Sequence, residues 1–120
     1  MCCVSREARD WLEDIQEACV LAVSWAVGQD LESFRADPIL LTAVLHQIQI
    51  IGEAAKQLPE DVRALDPDIP WSTLARFRDV IVHNYFRIEP ETVLQTAQER
   101  LPGLLIRVER LLDLLDSARA

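Results

Sequence analysis

Lysine is nearly absent. Lys56 is the only one in 120 residues, so the positive charge rests almost wholly on arginine. Basic residues number 12 against 20 acidic ones, for a formal charge of −8. That balance works against non-specific nucleic-acid binding, which depends on neutralising many phosphates. A local anion site remains open, and it must be built from arginine, whose planar fork holds phosphate oxygens in pairs. Glycine is scarce too, with three in the chain, and β-branched runs are few. Both shortages argue against a sheet protein. The three cysteines, Cys2, Cys3 and Cys19, match neither a zinc spacing nor a disulfide framework and read as reduced thiols. No apolar run is expected to reach membrane length. The charged start at Arg6, Glu7, Arg9 and Asp10 does not read as a signal peptide. The expectation is a soluble, cytoplasmic protein without membrane contact.

What is present is half apolar, in long segments rich in Leu, Ala, Glu, Arg and Gln that favour helix. The length suits one domain, residues 1–120, with a modest core and little room for a deep cleft inside one protomer. A domain of this size often builds its site between subunits. Ser5 reads as the N-cap of a first helix reaching Val27, closed near Gly28, with Trp11, Leu12, Ile15, Ala18, Cys19 and Ala22 on its apolar face. A short amphipathic turn is expected over Asp30 to Ala36. Asp37-Pro38 predicts the start of a second long helix to Leu58, since proline fits the first helical position. Gly52 lies inside it, at a cost of about 1 kcal/mol against alanine, which points to close approach by another backbone. Pro59 to Leu65 reads as a short helix, and Asp66 to Pro70 as a rigid extended connector. A further helix opens at Trp71-Ser72 and is expected to end near Tyr85 or Phe86, with Leu74, Phe77 and Ile81 buried. The last runs from Glu91 to about Ser117, with Pro102 expected to kink or interrupt it. The architecture that follows is all-α: an up-and-down bundle of three to four main helices plus short ones.

One stretch gathers the chemistry: Arg76-Phe-Arg78-Asp79-Val-Ile-Val-His83-Asn84-Tyr85-Phe86-Arg87. It holds the only tyrosine and one of the two histidines. Residues of a helix advance ~100° each, so on a straight helix Arg78 and Tyr85 share a face while His83 points roughly 140° from Arg78. Either the helix ends or distorts near His83, or two copies meet so that one protomer's arginine faces the other's histidine. Cleaving an RNA phosphodiester needs proton transfer and positive charge at the phosphorus. Histidine suits the first because its ordinary pKa lies near neutrality. Arginine suits the second. Asp79 and Asn84 can orient them, and Arg76 adds a cation. Against this stands the plainer alternative that His83 caps a helix end and Arg78 pairs with Asp79 or Glu53.

The segment Arg78 to Phe86 resembles the Arg-x4-His-x-Tyr signature of HepT-like toxins, small helical ribonucleases of the HEPN superfamily. Gln49 to Leu58 resembles that family's Ile-Ile-Gly-Glu-Ala-Ala-Lys block, Ile69-Pro70-Trp71 its Pro-Trp element, and Trp11 to Ile15 with Phe34 and Asp37 its N-terminal pattern. The resemblance implies a homodimer with both motifs facing one cleft and Arg78 and His83 as catalytic pair. It also implies a Tyr85 that binds RNA and that a minimal nucleotidyltransferase antitoxin silences by AMPylation. The implied function is a metal-independent endoribonuclease toxin that needs no cofactor. Asp79 stands where many members carry asparagine, and its charge is expected to weaken RNA binding. The alternative is a non-catalytic HEPN-type module that pairs with a nucleotidyltransferase or binds a nucleotide. A plain structural dimer ranks third. Glu53 and Lys56 read chiefly as an ion pair, and His46 as an ordinary helix residue. Trp11, Trp25 and Trp71 read as packing residues. The acidic groups at Asp66, Asp68, Glu99, Glu109 and Asp113 do not read as a metal site.

Overall fold

The computed structural model describes residues 7–119, and all but the last of these with their side chains. The proposed cap Ser5 and the thiols of Cys2 and Cys3 lie outside the described residues. Helix α1 spans Ala8–Ala26, α2 Leu31–Arg35, α3 Pro38–Gln57, α4 Glu60–Arg63, α5 Trp71–His83, α6 Pro90–Gln95 and α7 Leu101–Arg119. A 3-10 turn at Tyr85–Arg87 follows α5, and a π-helical turn at Thr96–Arg100 joins α6 to α7. Among the described residues there is no strand, so the all-α expectation holds.

The local signals act as their chemistry requires. Asp37 accepts a hydrogen bond from the Leu40 N–H at 3.0 Å, and Pro38 opens α3. Asp30 accepts from the Ser33 N–H at 2.7 Å to start α2. That bond holds the Asp30 carboxyl below the usual carboxylate range. Gly28, with φ of 76°, ends α1 in a conformation glycine adopts freely. The Glu7 N–H donates to the Asp10 carboxylate at 3.1 Å and marks the start of α1.

Helix α3 is the centre, packed between α1 and α5, while α1 also packs on α7. Leu12, Ile15, Cys19, Phe34, Val44, Ile51, Ile81, Val93 and Leu111 fill one continuous core. Burial pushes the Cys19 thiol up to about 12. Contrary to expectation, α3 is by length and composition apolar enough to cross a membrane. Its burial between two helices accounts for that apolarity: Val44, Leu45, Ile48, Ile51, Ala54 and Ala55 are all enclosed by protein.

Two other expectations are corrected. The connector over 66–70 is turned rather than extended. The Trp71 indole N–H donates to the carbonyls of Arg63 and Asp66, both at 3.1 Å, and Arg107 clamps the Asp66 carboxylate at 2.8 and 3.0 Å. Helix α5 stops at His83, short of Tyr85, because Asn84 leaves the helical region with φ −135° and ψ 39°. The last helix is interrupted near Pro102, as expected: a π turn over Thr96–Arg100 stands just upstream, and α7 then continues to Arg119. Gln98 on that turn donates to the carbonyls of Ala26 at 2.9 Å and Gln29 at 2.8 Å, satisfying the C-terminal end of α1.

Candidate functional site

The site starts from Gly52. A Cβ built there would lie 2.3 Å from the Arg78 Cβ and 2.6 Å from the Leu74 carbonyl oxygen. Only glycine lets α3 and α5 meet this closely. The contact sets Arg78 against the polar side of α3. Its Nε lies 2.9 Å from Glu53 Oε2, an ion pair whose angle is off a good hydrogen bond. Its Nη1 donates to Asp79 Oδ1 at 3.1 Å, and Lys56 Nζ donates to the same oxygen at 3.2 Å. Gln57 steadies Glu53 through Nε2 to Oε1 at 3.2 Å. Two carboxylates and two cations thus balance. The bonds from Arg78, then Lys56, hold the Asp79 carboxyl below the ordinary range. The one lysine of the chain is spent on Asp79, so the added negative charge beside Arg78 is locally neutralised.

Past the end of α5, the Tyr85 hydroxyl lies 3.2 Å from Thr42 Oγ1 and donates to it. Its ring meets Phe86 edge to face, at 5.4 Å between centroids, and Phe86 itself is 98 % exposed. Arg78 and Tyr85 therefore both turn to α3, though not through the straight-helix extrapolation, since a break at Asn84 separates them. Along α3 the polar residues Thr42, His46, Gln49, Glu53 and Lys56 alternate by four and three positions, which is one helix face. Thr42 and Glu53 stand about 16 Å apart at ~1.5 Å per residue. A cavity of about 270 Å³ adjoins this face, lined by Trp11 and Asp14 of α1, by His46, Gln49 and Glu53, and by Arg78.

His83, the last residue of α5, is exposed, as are Arg76 and Asn84. Among the described residues none of these three side chains makes a hydrogen bond or ion pair, and His83 does not meet Arg78 within the chain. The Asn84 backbone N–H donates to the Val80 carbonyl at 2.8 Å. Arg78, Asp79 and Tyr85 are thus gathered along α3, and His83, Asn84 and Arg76 are not gathered with them. Sequence reasoning passed over Thr42 and Gln49 and set His46 aside. The signal available was their four-and-three recurrence on a helix that is mostly apolar. Among the described residues, no group of three or more His, Cys, Asp or Glu side chains is placed to hold a metal ion.

Fold and site together define a small all-helical protein with an arginine held by two carboxylates against α3, a tyrosine turned to the same helix and an exposed histidine at the end of α5. A family model described as "Ribonuclease HepT-like" matches residues 12–111. The chain belongs to the HepT-like ribonuclease family. It is 37% identical over 108 residues to "Probable ribonuclease HepT" of Thermococcus cleftensis, covering 90% of this chain and 98% of that one. It is 33% identical over 104 residues to "Putative RNase TTE0752" of Caldanaerobacter subterraneus subsp. tengcongensis, covering 87% and 93%. No solved structure matches the chain.

Proposed function

We propose that this protein is a cytoplasmic endoribonuclease toxin that works as a homodimer. Arg78 of one protomer and His83 of the other act on one phosphodiester. A nucleotidyltransferase antitoxin silences the toxin by AMPylating Tyr85. Family membership and the relatives' names support the ribonuclease activity. The observation that carries the site is the anchoring of Arg78 against α3 while His83 stays unpartnered at the solvent end of α5. In this reading His83 takes the 2′-hydroxyl proton as that oxygen attacks phosphorus. The bond to the 5′ oxygen breaks, that oxygen takes a proton from water while His83 returns its own to solvent, and a cyclic phosphate remains. Arg78 stabilises the charge that builds on the phosphorus oxygens, without a metal. Asn84 and Arg76 flank the RNA backbone, and Tyr85 lies on its path.

The test compares wild type with Arg78→Ala and His83→Ala in expressing cells. Growth arrest and RNA breakdown are expected with wild type alone. Equal growth and equally intact RNA in all three strains would contradict the activity. Intact mass after co-production with a neighbouring nucleotidyltransferase is expected to rise by AMP units, and Tyr85→Phe to abolish the rise.

A second reading is a non-catalytic module that binds the nucleotidyltransferase or a nucleotide. It is favoured by the two carboxylates that already balance Arg78. A stable complex with that partner, and no RNA cleavage at high protein concentration, would select it.

A further inference from the structure

We infer that the cavity between α1 and α3 beside Arg78 is a nucleobase subsite, read by Gln49 and His46 and selective for adenine. The inference rests on the ribonuclease reading for its substrate, and on the geometry of α3 for its place. At about 270 Å³ the cavity lies below the ~300–1,000 Å³ of pockets that hold whole drug-sized ligands, which suits a single ring system. One wall is the Trp11 side chain, an aromatic surface of the kind on which bases stack. Arg78 is part of the same lining, so a phosphate held by its guanidinium leaves an attached base within reach of the cavity.

The polar stripe of α3 says which groups read the base. Three of its five members are taken: Thr42 accepts from Tyr85, Glu53 pairs with Arg78, and Lys56 with Asp79. His46 and Gln49 lie between them, line the cavity, and have no hydrogen-bonding partner among the described residues. A glutamine amide presents one donor and one acceptor side by side, the pattern that pairs with the N7 and N6 edge of adenine. The lining carries two carboxylates, Asp14 and Glu53, against the single fixed cation Arg78, a balance that favours amino hydrogens over carbonyl oxygens. The carboxylates also disfavour entry of a second phosphate, which keeps the RNA backbone outside at Arg78. Adenine is the one common RNA base without a carbonyl oxygen, so it fits this lining best and uracil worst.

The experiment uses the full chain with equal-length oligoadenylate and oligouridylate, and separately with AMP and UMP as uncleaved probes followed by NMR shifts. Wild type is expected to cleave oligoadenylate at least about fivefold faster, the lower bound for one bidentate base contact. Gln49→Leu is expected to bring the ratio near one. His46→Ala is expected to narrow it, and provides the test if Gln49→Leu fails to fold. Cleavage at equal rates by wild type, or a ratio that both variants leave unmoved, overturns the subsite while leaving the ribonuclease reading intact. If wild type cleaves neither RNA, the ribonuclease reading fails and the mononucleotides decide. AMP shifting cavity resonances in preference to UMP, with loss of the preference in Gln49→Leu, supports the subsite. Equal binding or none overturns it.

Discussion

Gly52 carries the closest approach in the site, and its consequences are specific. Alanine there gains about 1 kcal/mol of helix propensity, but overpacking typically costs ~1–3 kcal/mol. The obstructing atoms are the Leu74 carbonyl and the root of the Arg78 side chain, neither of which swings aside. Two fixed atoms put the cost at the upper end of that range, so overpacking wins and Gly52→Ala is expected to lower stability by up to about 2 kcal/mol in urea unfolding. An unchanged or raised midpoint would contradict the close approach. Asp79 makes a separate residue-scale prediction. Its folded pKa is lowered, so its stabilising contribution is present above the ordinary aspartate value of ~3.9 and disappears as pH falls through the folded value. Asp79→Asn is thus expected to melt below wild type at pH 7, with the gap closing in acid. The same variant removes one of two negative charges facing Lys56 and Arg78, so it should bind RNA more tightly and with a steeper salt dependence. Weaker binding by Asp79→Asn would mean that the carboxylate serves the site rather than opposing it.

At the scale of elements, what was legible in the sequence followed from short-range chemistry. Asp37-Pro38 started α3 because cap and proline act within one turn. Gly28 ended α1, and Gly52 announced a close approach. What was not legible depended on partners distant in the chain. The connector before α5 folds around the Trp71 indole and the Arg107 clamp, neither of which its own composition declares. The motif Arg78 to Tyr85 was legible as residue types, but the break at Asn84 and the turn of Tyr85 to Thr42 were not. His46 and Gln49 were missed because a polar stripe on one helix reads the same whether it meets water or a site. Gln98 likewise looked like surface, yet it holds two carbonyls at the end of α1. At ~0.5–1.5 kcal/mol for each hydrogen bond, Gln98→Ala should cost about 1–3 kcal/mol by thermal or urea unfolding. Since Gln98 sits at the α1–α2 corner and outside the Arg78 cavity, the RNA cleavage rate should not change. A variant as stable as wild type would remove the capping role.

At the scale of the whole molecule, the arrangement of Arg78 and His83 separates two models of the proposed enzyme. Arg78 is directed to α3 by Gly52 and Glu53, and His83 emerges at the exposed end of α5, with no contact between them in the chain. If one protomer completes its own site, Arg78→Ala and His83→Ala each destroy it, and mixing the two variants restores nothing. If each site takes its arginine from one protomer and its histidine from the other, a mixed dimer regains one intact site. That site joins the arginine of the His83→Ala chain to the histidine of the Arg78→Ala chain. The second dead site joins the two substituted positions. Co-producing the variants with different tags and isolating the doubly tagged dimer makes the comparison direct. About half the wild-type cleavage rate per dimer is expected, because catalysis at a preorganised site depends on both groups being present at once. Cleavage no higher than in either variant alone would place the chemistry within one protomer, and would require His83 to reach Arg78 across the break at Asn84.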